Sequence, residues 1–275
     1  MKLYLSFLLI FISCITVDES GKIIQDFTIF KEKEENKWKL SDIPLGPRWS
    51  ENDKTIPLLI LPREENLPLT FVLEKLPKVS NQGKQASSTA FASGYLAMSY
   101  YYRTKKNKKN YICSPSFIYN ILNNGKDEGI EIYDSLTLLK NTGCPPIEYF
   151  TYKEYDYKIQ PSSLVVQIAN DYKILEFVRM DPLDMYQVAT FIKKDFIIIT
   201  TIYISENFLS LKEKIYEPKG KFLGKHTLAI IGYDLKNQFY YLMNSFGDTW
   251  GKKGIVLISK NWYDRLVVSA YVILK

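Results

Sequence analysis

The pattern of apolar residues switches from helical to extended partway along the chain, and this switch limits the fold class more than any other feature. From Ser88 to Tyr102, large apolar side chains recur at helical spacing, as at Phe91, Tyr95, Met98 and Tyr102. Ser87 stands where its hydroxyl would cap that helix. Ser114-Pro115 predicts a second start, with Phe117, Ile118, Ile121 and Leu122 on one face. Short helical patterns follow at 133–140 and 186–194. Then the run from Phe196 to Ile204 is rich in β-branched residues and reads as a buried strand. Strand patterns recur at 227–233, 238–244, 254–258 and 269–274. Helices first and strands later predict an α+β arrangement.

The N-terminus reads as a targeting segment. Lys2 precedes an apolar run from Leu3 to Val17. That run falls short of the ~20 residues a membrane span needs, and it fits a secretory core. Phe11-Ile12-Ser13-Cys14 resembles a bacterial lipobox, with Phe11 where Leu is usual. Cleavage there makes 1–14 the signal segment, and acylation of Cys14 anchors the exported chain to a membrane. The alternative is an ordinary signal peptide that contains a cysteine, giving a secreted protein. Residues 15–69 carry a charged run and then Pro44, Pro47, Pro57, Pro62 and Pro68, which predict a tether and an extended lead-in. The domain proper is expected over 70–275. Net charge is +6, from 36 basic and 30 acidic residues. The densest basic run, Arg103 to Asn110, has no aromatic or glycine interleaving and reads as a solvated loop, so no nucleic-acid partner is expected. With one histidine and no CxxC pair, neither a metal nor a cofactor is expected.

Three segments carry a family resemblance. Asn81-Gln82-Gly83-Lys84-Gln85-Ala86-Ser87-Ser88-Thr89-Ala90-Phe91 resembles the active-site segment of the papain-like cysteine peptidases, in which Gln precedes the nucleophile by six residues. His226-Thr227-Leu228-Ala229-Ile230-Ile231-Gly232-Tyr233 resembles the family's histidine strand. Asn244-Ser245-Phe246-Gly247-Asp248-Thr249-Trp250-Gly251 resembles its Asn-Ser-Trp-Gly-x-x-Trp-Gly signature. The order is the family's, and the chain's single histidine falls in place. The resemblance implies a papain-like two-lobed fold, a helical lobe followed by an antiparallel β-rich lobe, with the active-site cleft between them. It implies Ser88, His226 and Asn244 as the catalytic set and Gln82 as oxyanion donor. Gly129 aligns with the glycine along which substrate backbone pairs. Thr89, Phe246 and Trp250 are expected around the cleft, Thr89 and Phe246 in place of the family's tryptophans. Cys113 and Cys144 flank that region, either bridged by a disulfide or as two unpaired core residues.

The family's nucleophile is a cysteine, and position 88 is a serine. A free thiol has a pKa near 8.5, and a helix N-terminus or an imidazolium lowers it, so an ion pair forms before substrate arrives. An alcohol forms no such pair with an imidazole of pKa near 6.5. Ser88 would need His226 as general base during attack, as in serine hydrolases. Those enzymes support the base with a carboxylate, and replacing that carboxylate by Asn costs on the order of 10⁴ in turnover. The expectation is a peptidase homologue, impaired or inactive, that binds peptide or protein in the cleft. Two alternatives stand beside it: an active hydrolase using Ser88, and a surface adhesion protein that binds outside the cleft.

Overall fold

The computed structural model describes residues 47–274. The apolar leader, Cys14 and the start of the lead-in lie outside the described residues. Among the described residues, seven strands join one antiparallel sheet: β1 (Thr70–Val72), β2 (Glu176–Arg179), β3 (Ile198–Ser205), β4 (Phe222–Asp234), β5 (Phe239–Met243), β6 (Ile255–Ser259) and β7 (Val267–Leu274). The order is β2-β7-β3-β4-β5-β6, with β1 paired to the end of β4. Gly232 permits that last pairing, because a Cβ there would sit 2.7 Å from the Phe71 carbonyl oxygen. β3 and β4 are the central strands. Their inward residues, such as Ile198, Ile202, Leu228 and Ile230, are buried, as the β-branched runs predict.

The lead-in is tied down where it is described. Ser50 and Asp53 cap a short helix, α1 (Glu51–Lys54), reciprocally. Beyond it, Leu59 N–H donates to the Arg179 carbonyl and Arg179 N–H to the Pro57 carbonyl, both at 2.9 Å. The Gln187 side chain brackets the Leu61 backbone at 3.0 and 2.8 Å. This stretch therefore covers the β2 edge, which would otherwise expose unpaired backbone groups.

The helical lobe is built on one buried helix. It is α-helical at Ser88–Ala90 (α2), π-helical at Phe91–Met98, and α-helical again at Ser99–Lys105 (α3). The apolar spacing predicts the helix but not its widened middle. There, Ser93 donates to the Thr89 carbonyl at 2.6 Å and Ser99 to the Gly94 carbonyl at 3.2 Å. Such π turns are rare and tend to occur beside functional sites. α4 (Pro115–Leu122) starts as predicted, with Ser114 Oγ accepting from Phe117 N–H at 3.1 Å. α5 (Ile132–Asn141), α6 (Ser163–Ala169) and α7 (Met185–Lys193) follow, and two short helices, α8 (Glu206–Leu209) and α9 (Lys260–Leu266), decorate the sheet. Cys113 and Cys144 form a disulfide, with Cα atoms 5.7 Å apart. Gly94 makes room for it: a Cβ there would sit 2.8 Å from Cys113 Sγ.

Candidate active site

The turn before α2 is held from both sides. Gln82 N–H donates to the Ser245 carbonyl at 2.7 Å, fastening the turn to the sheet lobe. From the helical lobe, Glu154 accepts Lys84 N–H at 2.6 Å and Asp127 accepts Ala86 N–H at 2.8 Å. Tyr152 Oη donates to the Gln82 carbonyl at 2.7 Å. Its one proton is then used, so its 3.3 Å contact with Ser87 has the serine as donor. Ser87 therefore does not cap the helix, contrary to the sequence expectation. Its backbone, at φ −98° and ψ 17°, is not in the extended conformation of a cap, and its hydroxyl turns to the phenol instead.

Ser88 opens α2 and stays partly exposed. Its Oγ accepts from Thr227 N–H at 3.4 Å, which brings it to the strand position next to His226. His226 lies on β4 opposite Ile202 and is buried. Its Nε2 lies 2.7 Å from Asn244 Oδ1. The same Oδ1 accepts the backbone N–H of Ser245 at 2.8 Å. A backbone N–H can only donate, so the shared atom is the amide oxygen and Nε2 carries the proton. In the neutral ring the lone pair is then on Nδ1. Burial pushes the His226 pKa down to about 4, and the Asn244 hydrogen bond opposes this only in part.

The aromatic shell lies behind the histidine. Phe246 and Phe208 flank its ring at centroid distances of 4.7 and 5.4 Å. Trp250 packs on Phe208 at 4.8 Å and donates its indole N–H to the Phe208 carbonyl at 2.6 Å. Phe246 and Trp250 are both buried, so they shield the His–Asn contact and do not line the groove beside Ser88.

Gln82 is oriented by its neighbours. Its Oε1 accepts from Ser245 Oγ at 2.6 Å and its Nε2 donates to the Gln85 carbonyl at 2.7 Å. One amide hydrogen remains for a ligand oxygen. The groove beside Ser88 runs past Ala86, Thr89, Gly129, Thr201 and Thr227. Gly129 adopts φ +91°, and its N–H faces Tyr119 Oη at 3.4 Å. Ser88, Thr89 and Gly129 thus share one groove, His226 and Asn244 form a bonded pair beside it, and Gln82 sits in the adjoining turn.

Sequence reasoning missed Asp127, Tyr152 and Glu154, which clamp the nucleophile turn from loops about 40 to 70 positions away. It also missed Thr201 and Thr227, although Thr227 follows the histidine directly. Among the described residues, no group of three or more His, Cys, Asp or Glu side chains could hold a metal.

The arrangement has structural relatives. Xylellain, a cysteine protease from Xylella fastidiosa, superposes with a TM-score of 0.75 at 21% identity, over 83% of this chain and 95% of that one. A procathepsin B from Trypanosoma congolense gives 0.67 at 14% identity, over 83% and 86%. Bromelain from Ananas comosus, solved with the E64 inhibitor, gives 0.64 at 18%, over 76% and 100%. In sequence, the gamete and mating-type specific protein A of Dictyostelium discoideum is 32% identical over 71 residues, which span 26% of this chain and 16% of that protein. The model of the papain family cysteine proteases matches residues 72–273. By that match, with this fold and this ordered Gln82, His226 and Asn244, the chain belongs to the papain family of cysteine proteases.

Proposed function

We propose that this protein is a papain-family homologue without efficient peptidase activity that uses the cleft beside Ser88 to bind peptide or protein. The observation that carries the reading is the chemistry at position 88. An alcohol replaces the thiol that the resemblance implies, and it contacts the strand residue next to a buried imidazole whose proton affinity is lowered. The imidazole's partner is the neutral Asn244, which offers little support to the imidazolium that alcohol attack would generate. The binding parts remain: an open groove, an oriented Gln82 and a turn clamped by Glu154 and Asp127. The disulfide, which forms and persists in oxidising compartments, supports export. Acylation at Cys14 would then hold the domain at a membrane surface.

The test is a fluorophosphonate probe on the folded protein, beside peptide binding measured by anisotropy. Binding without labelling of Ser88 is the expected result. Labelling of Ser88 with turnover would establish the rival reading, an active serine-dependent hydrolase. That rival draws on one observation: the Nε2–H tautomer leaves Nδ1 as a base.

A further inference from the structure

The wall of the groove that carries Gly129 belongs to the connection between α4 and α5, residues 123–131, which is neither helix nor strand. Gly125 and Gly129, at φ +73° and +91°, widen the range of conformations open to it. Its local bonds, from Gly125 N–H to Asn123 Oδ1 and from Lys126 N–H to the Asn123 carbonyl, stop at its first turn. Past that turn, the connection is joined to the Ser88 turn and α2 at two points. Asp127 Oδ1 accepts the Ala86 N–H, and Thr89 Oγ1 donates to the Ile130 carbonyl, both at 2.8 Å. The same Asp127 oxygen accepts the hydroxyl proton of Tyr119, a fully buried residue of α4. Burial, with Asp127 beside it, raises the Tyr119 pKa, so the phenol stays protonated. Its proton is committed to Asp127, and its oxygen is left to accept from Gly129 N–H at 3.4 Å. One carboxylate oxygen thus connects the turn before Ser88, the α4 helix and, through the phenol, the Gly129 wall. Asp127 itself does not line the groove.

We infer that Asp127 is a positioning residue of the cleft: it sets the spacing between the Ser88 turn and the Gly129 wall, and thereby the affinity for a peptide lying between them. The inference rests on the proposed peptide-binding role of the cleft. Glu154 and Tyr152 also hold the turn, but among the described residues neither hydrogen-bonds to residues 124–131. A peptide bound between walls that move independently must also order them, and that cost lowers its affinity. Walls fixed beforehand remove the cost without any new contact to the ligand. Charge contributes as well as geometry, because a carboxylate oxygen holds its donors more strongly than a neutral amide oxygen does.

The experiment compares the full chain with Asp127→Asn, Asp127→Ala and Tyr119→Phe. Amide exchange followed by NMR reports Ala86 and Gly129 without any ligand, and anisotropy of a fluorescein-labelled pool of random octapeptides reports binding. In Asp127→Ala both amides should exchange about tenfold faster, and the pool should bind about tenfold more weakly. Asp127→Asn keeps an acceptor oxygen and should lie between, at about threefold. Tyr119→Phe should speed exchange at Gly129 while Ala86 keeps its partner. Combined with Asp127→Ala it should weaken binding no further, since the two side chains act through one link. Unchanged exchange at Ala86 and Gly129, or unchanged binding in Asp127→Ala, overturns the inference and leaves the peptide-binding reading standing. So does exchange that rises equally throughout β3 and β4, because Asp127 would then act on stability alone. If the wild-type chain binds no octapeptide, the peptide-binding reading fails and the inference with it.

Discussion

Replacing Ser88 by Cys isolates the one part of the site that chemistry rules out as a preformed nucleophile. The substituted thiol would sit at the first residue of α2, with the Thr227 N–H aimed at the side-chain atom. A hydrogen bond to a charged acceptor contributes roughly 1.5–3 kcal/mol. The helix N-terminus adds about 0.3–1 kcal/mol. Partial burial of position 88 works in the opposite direction, and proton transfer to His226 is uphill because burial holds that ring neutral. A net gain of about 1.5–3 kcal/mol for the thiolate remains, which at about 1.4 kcal/mol per unit lowers the thiol pKa by about one to two units from 8.5. The assay is the rate of iodoacetamide alkylation against pH under non-reducing conditions. The wild-type chain supplies the background from Cys14, while Cys113 and Cys144 are bridged. A midpoint between about pH 6.5 and 7.5 is the expected outcome. A midpoint at or above 8.5 would show that the turn no longer presents a nucleophile to these donors, and would refute the geometry argued for Ser88. Rapid alkylation without cleavage of peptide substrates would place the remaining defect in the groove, with Thr89 first to be tested.

Three further outcomes are open to direct measurement. The chain has a single histidine, so its NMR titration reports His226 alone, and the folded-state pKa should lie near 4. Since the unfolded ring titrates near 6.5, the unfolded state binds the proton more readily. Stability is then full above pH 6.5 and falls by on the order of 3 kcal/mol as pH drops to 4, measurable by urea unfolding across that window; a histidine that titrates at 6.5 in the folded protein contradicts this. Replacing Cys113 and Cys144 together by Ala opens a loop of 31 residues and should cost about 3–4 kcal/mol in the urea midpoint analysis, whereas an unchanged midpoint would mean that the bridge does not form in solution. Metabolic labelling with a fatty-acid analogue should mark the wild-type chain and not Cys14→Ala, and equal labelling of the two would exclude acylation at that cysteine.

The sequence by itself determined the fold class and the main elements of the site. Apolar periodicity is a local property, and it marked the helix that starts at Ser88, the start of α4 at Ser114-Pro115, and five of the strands of the sheet. Gln82, His226 and Asn244 were legible because each sits in a short segment with its own pattern. Long-range hydrogen bonds have no such local signature. Nothing near Tyr152, Glu154 or Asp127 in sequence marks them as the clamps of the Gln82–Ser88 turn, and Ser87 looked like a helix cap although its backbone does not take the extended cap conformation and its hydroxyl points to a distant phenol. The strand β2 and the docked stretch 47–69 escaped for the same reason. β2 has only four residues and is defined by pairing with β7, and the lead-in is held by backbone bonds to Arg179 and side-chain bonds from Gln187. The tautomer of His226 was decided only in three dimensions, because it depends on the Ser245 backbone N–H that identifies the shared Asn244 atom as the amide oxygen.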